Sequence, residues 1–115
     1  MEKYNVTIKN VDTIDKYKVS VDNNLYEKTL KYTEKDGTVT SFNYEKNILR
    51  RDNDEMIIEF VFDKEKVTKG EMSVKELKGD LEMDILTKEL DVNEDKIKIV
   101  YVVNGLTFEY ALEKE

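Results

Sequence analysis

The two arginines of this 115-residue chain stand side by side, Arg50 and Arg51. Neighbouring residues of a strand point to opposite faces, so one of the pair faces inward if the segment belongs to a barrel. An inward guanidinium could hold a carboxylate or phosphate through its planar fork. The plainer reading is that it pairs with an internal Glu, or that both arginines reach water at a strand end. Tyrosines offer a second kind of chemistry. Tyr26, Tyr32, Tyr44, Tyr101 and Tyr110 share the parity of their apolar neighbours, so each carries a hydroxyl to an apolar face. Several such hydroxyls would line a pocket with polar tips; the alternative is core filling, with the hydroxyls at the barrel mouths. Asp52, Asp54 and Glu55 crowd carboxylates that calcium would accept. Yet the EF-hand spacing is missing, and Asp and Asn suit a plain turn.

Much chemistry is excluded by composition. The chain has no His, Cys, Trp or Pro, which removes disulfides, thiolate nucleophiles, thiolate metal sites and histidine catalysis. Ser20, Ser41 and Ser73 have no histidine to activate them, and no glycine-rich phosphate loop occurs. With 26 acidic residues, no carboxylate pair can be singled out for acid–base work. The net charge of −7 repels phosphate backbones, so no nucleic-acid partner is expected. No apolar run approaches a membrane span and MEKYNVTIKN is not leader-like, so the expected location is the cytoplasm, without a membrane partner. Neither a cofactor nor a metal is expected.

The elements that must position these residues follow a period of two. Tyr4, Val6 and Ile8 alternate with polar residues, as do Tyr17, Val19 and Val21, and Leu81, Met83 and Ile85; Leu90 and Val92 continue after a break. Met56, Ile58, Phe60 and Phe62 alternate too, although Ile57 and Val61 make that segment apolar on both faces. Eight to ten strands result, separated by polar clusters such as Asp52-Asn53-Asp54, Lys78-Gly79-Asp80 and Asn93-Glu94-Asp95. Connections this short force antiparallel neighbours. Asn104-Gly105 marks a two-residue hairpin that pairs Val103 with Leu106, Tyr101 with Phe108, Ile99 with Tyr110 and Ile97 with Leu112. A three-residue loop at Lys35-Asp36-Gly37 pairs Leu30 with Phe42 and Tyr32 with Thr40. No segment reads convincingly as a helix; residues 67–80 are the one candidate, and their glycines oppose it. A long sheet with one apolar face and no helix to cover it must close or fold over. The expected fold is all-β, an antiparallel up-and-down meander over residues 1–115 closing into a barrel of eight to ten strands. A β-sandwich is the alternative.

The order of these parts also carries a resemblance. An Arg ends a short strand in NILRRDNDEMIIEF, with Arg50 taken as that residue, and an apolar strand through Phe60 follows. Then come Gly79 with Leu81, Met83 and Ile85, a Thr-Lys-x-Leu break from Thr87 to Leu90, and the Ile97, Ile99, Tyr101 strand. This run resembles the YwiB-like family of small bacterial proteins, which implies a calycin-like or lipocalin-like barrel of unknown function. The family supplies no catalytic or ligand residue to carry over. MSVKELKG stands where the family often has Tyr-x-Thr. The Gly-x-Trp of lipocalins has no counterpart here, since Trp is absent. Fatty-acid-binding proteins use Arg-x-Tyr where this chain has Phe108-Glu109-Tyr110, and haem barrels with a His ligand are excluded.

The leading expectation is a barrel that binds a small apolar or amphipathic molecule, with Tyr32, Tyr44, Arg50, Tyr101, Phe108 and Tyr110 as interior ligand-binding candidates. The alternative is a structural or protein-interaction module with a filled barrel. It would be a monomer or a homodimer, with Ile57 and Val61 as the outer contact. An enzyme using carboxylates ranks last.

Overall fold

A computed structural model describes residues 1–77 and 79–115; Lys78, from the expected Lys78-Gly79-Asp80 turn, lies outside the described residues. Ten antiparallel strands form one closed sheet. They are β1 (Glu2–Lys9), β2 (Ile14–Asn24), β3 (Thr29–Thr33), β4 (Val39–Asn43), β5 (Ile48–Asp52), β6 (Met56–Val61), β7 (Val67–Val74), β8 (Asp80–Val92), β9 (Lys96–Val103) and β10 (Leu106–Lys114). Each strand pairs with the next, and β1 pairs with β10 to shut the barrel. Among the described residues there is no helix, and none is long and apolar enough to cross a membrane. The helix candidate at residues 67–80 is β7 and the turn after it, because Thr68, Gly70 and Met72 alternate inward rather than following a helical period.

The turns form through their own side chains. Asn10, Asn24, Asn43, Asn53 and Asn93 each accept, through Oδ1, one or two backbone N–H groups two or three residues ahead. This local bond mimics a backbone turn and explains why Asn recurs at strand ends. The Asp52–Glu55 carboxylates belong to such a turn. Asp52 pairs with Lys75 at 3.0 Å, and Asn53 caps the turn. The Asn104-Gly105 loop has φ of 52° and 77°, the two positive values a type I′ turn requires. Its strands pair in the register expected, from Val103 with Leu106 to Ile97 with Leu112. The Lys35-Asp36-Gly37 loop likewise sets Leu30 opposite Phe42 and Tyr32 opposite Thr40.

Inward residues fill the barrel. Tyr4, Val6, Val21, Leu30, Phe42, Ile85, Ile97, Ile99 and Leu112 are fully buried. The Tyr4 hydroxyl donates to the Glu94 carbonyl at 2.8 Å and so ties β1 to the β8–β9 turn. β8 runs through the expected break as one strand with a bulge between Thr87 and Glu89. The extra residue switches inward parity from Ile85 and Thr87 to Leu90 and Val92, keeping both halves against the core. Tyr26 departs from the reading of shared parity. It sits at the tip of the β2–β3 turn, 96% exposed, because the strand ends at Asn24. Ile57 and Val61 face outward and are partly buried.

Gly70 is where β7 lets two side chains through. A Cβ there would lie 2.5 Å from Ile85 Cδ1 and 2.6 Å from Phe60 Cδ1. Gly70→Ala should therefore destabilise the barrel by about 1–3 kcal/mol through overpacking. Thermal unfolding should show a lowered midpoint, and trimming Phe60 to Leu in the same chain should recover part of the loss.

Candidate functional site

Every neighbouring pair of strands is laced along most of its length except one. β2 and β3 share only Asp22 to Asn24 against Thr29 to Lys31, whereas β1 and β2 pair over eight residues. Above that short ladder the two strands part. A cleft of about 600 Å³ opens there, lined by Tyr17, Val19, Tyr32 and Glu34 with lysines at its rim. A second cleft of about 400 Å³ shares Tyr17, Glu34 and Lys35 and reaches Ile8, Asp15 and Arg51.

Side chains bridge the gap where the backbone does not. The Tyr17 hydroxyl donates to Glu34 Oε1 at 2.5 Å, and Arg51 Nη2 donates to Glu34 Oε2 at 2.6 Å. The Glu34 side chain is 8% exposed and that of Arg51 36%. Burial acts to lower the pKa of the Arg51 guanidinium, but the hydrogen bond and charge of Glu34 outweigh it and hold the group above its ordinary value. The Tyr17 hydroxyl is pushed well above the usual tyrosine range, first by burial and then by its bond to the carboxylate. The positive charge of Arg51 also reaches Tyr32, Tyr101 and Tyr110, acting to lower the pKa of each against the effect of burial.

The expected site residues divide into three groups. Tyr32 and Tyr110 meet, buried, with their hydroxyl oxygens 2.8 Å apart. Tyr101 and Phe108 stack at 5.6 Å between ring centres, and both stay partly exposed. Phe60 and Phe62 extend that cluster, at 6.0 Å and 5.1 Å from the Tyr101 ring. Tyr44 belongs elsewhere, near the β4–β5 turn, with its hydroxyl 3.4 Å from Asn23. Arg50 is corrected: it lies on the outer face and pairs with Glu59 at 3.4 Å and Asp52 at 3.9 Å. Leu49 occupies the inward parity opposite Phe42, so its neighbour Arg50 must face out and Arg51 in.

Tyr17 and Glu34 were not among the expected site residues, and Arg51 was expected only as one of two arginines of which either could face inward; parity marks all three. Tyr17 shares its face with Val19 and Val21, Glu34 with Leu30 and Tyr32, and Arg51 with Leu49. Around them, polar atoms are left over. Thr38 Oγ1, Thr40 Oγ1 and Arg51 Nε are buried without a hydrogen-bond partner, and so is Thr87 Oγ1 opposite Tyr101. Unsatisfied buried groups are rare enough that each demands a reason. Among the described residues, no group of three or more acidic side chains could hold a metal ion.

Breaking the ion pair should show in stability. Arg51→Met leaves the Glu34 carboxylate buried without its counter-charge. The expected loss is about 2 kcal/mol, below the ~3–5 kcal/mol of a fully enclosed pair because Arg51 is partly solvated. Adding Glu34→Gln should restore part of it in denaturant melts.

A second expectation concerns alkali. Burial raises the Tyr4 and Tyr101 hydroxyls to about 12, against about 10 in the unfolded chain. Above pH ~10 the unfolded chain therefore releases protons that the folded one keeps, so unfolding gains. Their stabilising contribution should be complete below pH ~10 and lost as the pH rises through about 12. Tyrosinate absorbance should rise together with loss of the β-sheet circular dichroism signal.

No family model matches the chain, and no curated protein matches it. Among solved structures, the ywiB protein from Bacillus subtilis is similar, with a TM-score of 0.58 and 16% identity, over 98% of this chain and 89% of that chain. At that identity the likeness establishes a shared YwiB-like fold.

Proposed function

We propose that the barrel binds a small amphipathic molecule at the end where β2 and β3 part. The observation that carries this reading is the Arg51–Glu34 pair, set against a mostly apolar interior and reached from solvent through the clefts at Tyr17. An ion pair is an expensive way to fill a core, since desolvation can exceed the Coulombic gain. A pair lining an accessible cleft can instead orient a ligand. Apolar surface lies on the same interior face: Ile58 stands opposite Arg51, Met72 opposite Ile58, and both are partly exposed. The stacked Tyr101 and Phe108 add aromatic area that the core leaves partly open.

This reading accords with the calycin-like character that the sequence suggests, with one change of place. The deep interior is occupied by Tyr32, Tyr110, Phe42 and their neighbours, so the ligand sits towards the opening rather than at the barrel centre. Small barrels that fill their own interior retain this option.

Native mass spectrometry of the protein purified from the cells that produce it should show an adduct of small-molecule mass. Arg51→Met should lower its occupancy. A bare protein mass under gentle conditions would count against the proposal.

A further inference from the structure

The gap between β2 and β3 leaves the edge of a strand open. On one side β2 pairs with β1 from Ile14 to Val21, but on the other it meets β3 only from Asp22 onward. Among the described residues, neither a ladder pair nor a turn hydrogen bond joins residues 15–20 to β3 or to the turn after it. The two clefts trace that edge. Between them they are lined by every residue from 15 to 20 on β2 and every residue from 31 to 36 on the facing bank. A cleft over the face of a sheet meets alternate residues, whereas one that meets consecutive residues runs along a backbone edge. Volumes of about 600 Å³ and about 400 Å³ lie beside this edge, and a further strand would sit there about 4.8 Å from β2.

The banks say what such a strand would carry. Val19 and Tyr32 have inward parity, so Lys16, Lys18 and Lys31 stand on the outer side, with exposed Lys35 at the end of the far bank. Lys18 pairs with Glu115 at 3.1 Å. Among the described residues Lys16, Lys31 and Lys35 form no ion pair, whereas Lys9, Lys69, Lys75, Lys96 and Lys98 elsewhere on the wall each do. The lining of the two clefts sets five lysines and Arg51 against Asp15, Asp22, Glu34 and Asp36, a positive balance on a chain of net charge −7. Acidic side chains on the outer face of an added strand would lie across from these lysines, and apolar ones on its inner face would lie over Val19 and Tyr32.

We infer that β2 takes up, as an added strand, an extended segment of another protein that alternates acidic and apolar residues. Its backbone supplies the ladder that residues 15–20 lack, and its alternate side chains give the specificity. A second copy of this chain fits the edge less well. Two β2 edges laid together would bring Lys16 and Lys18 of one against those of the other, and lysine on an edge guards against such pairing. The edge belongs to the wall of the barrel, so the inference does not depend on what the interior holds.

The probe is a fluorescein-labelled, amidated peptide of seven residues alternating Glu and Val, followed by anisotropy against the intact protein at pH 7.5. A Lys and Val counterpart and two forms N-methylated on either set of alternate amides serve as comparisons. The acidic peptide should bind at least tenfold more tightly than the lysine one, and at least one methylated form should lose binding altogether. Lys16→Glu combined with Lys35→Glu should weaken the acidic peptide at least tenfold and leave the melting temperature unchanged, since both side chains are exposed. Equal affinity for the acidic and lysine peptides, or undiminished binding of both methylated forms, would overturn the inference. So would full affinity in the double variant. No binding of the acidic peptide would overturn it too and leave the lysines as guards of the edge. A homodimer in light scattering that excludes the peptide would give the edge to a second copy instead.

Discussion

A sheet with one apolar face must cover that face, and closure of the sheet is the constraint on which the rest of the molecule depends. β1 meets β10 over six residue pairs, from Tyr4 with Lys114 to Lys9 with Glu109. That pairing removes both edges at once and turns every inward residue towards a common interior. The faces then sort themselves. Tyr4, Val6, Tyr110 and Leu112 pack inside, while Lys9, Lys98, Lys114 and their acidic partners form exposed ion pairs outside. Exposed pairs of this kind contribute little each. They keep the outer face wet and the register unambiguous.

Closure is uneven, and the unevenness makes the candidate site. Where the β2–β3 ladder stops after three pairs, the wall is held by Tyr17, Glu34 and Arg51. A side-chain bridge differs from a backbone ladder in two ways. It is specific to these residues, and it leaves space beside it that solvent can enter. The same gap thus explains why an ion pair is tolerated in an aromatic interior and why two clefts open beside it. At the opposite end, Tyr4 closes the barrel through the Glu94 carbonyl, and Phe62 and Leu49 are buried.

The interior shows two kinds of polar group. The Tyr32 and Tyr110 hydroxyls satisfy each other and are structural. Thr38, Thr40 and Arg51 Nε do not satisfy one another, although Thr40 and Arg51 are direct neighbours across a strand pair. A paired group rigidifies a core, whereas an unpaired one lowers stability until something binds it. The difference separates the tyrosine hydroxyls that satisfy each other from the polar atoms left unpaired.

Much of this was written in local order. Period-two alternation, Asn-led turns and the Asn104-Gly105 loop determine the strands, their antiparallel pairing and the inward faces, because each depends on residues within one hairpin. Hairpin register even places Tyr101 against Phe108 and Ile99 against Tyr110 before any other strand is known. Two things needed the closed structure. The inward arginine is Arg51, because Leu49 is held opposite Phe42; Arg50 therefore faces solvent. The gap between β2 and β3 arises from how far each strand runs around the barrel, so no local pattern announces it. Tyr17, Glu34 and Arg51 come from three segments, and only curvature and closure bring their side chains to one carboxylate.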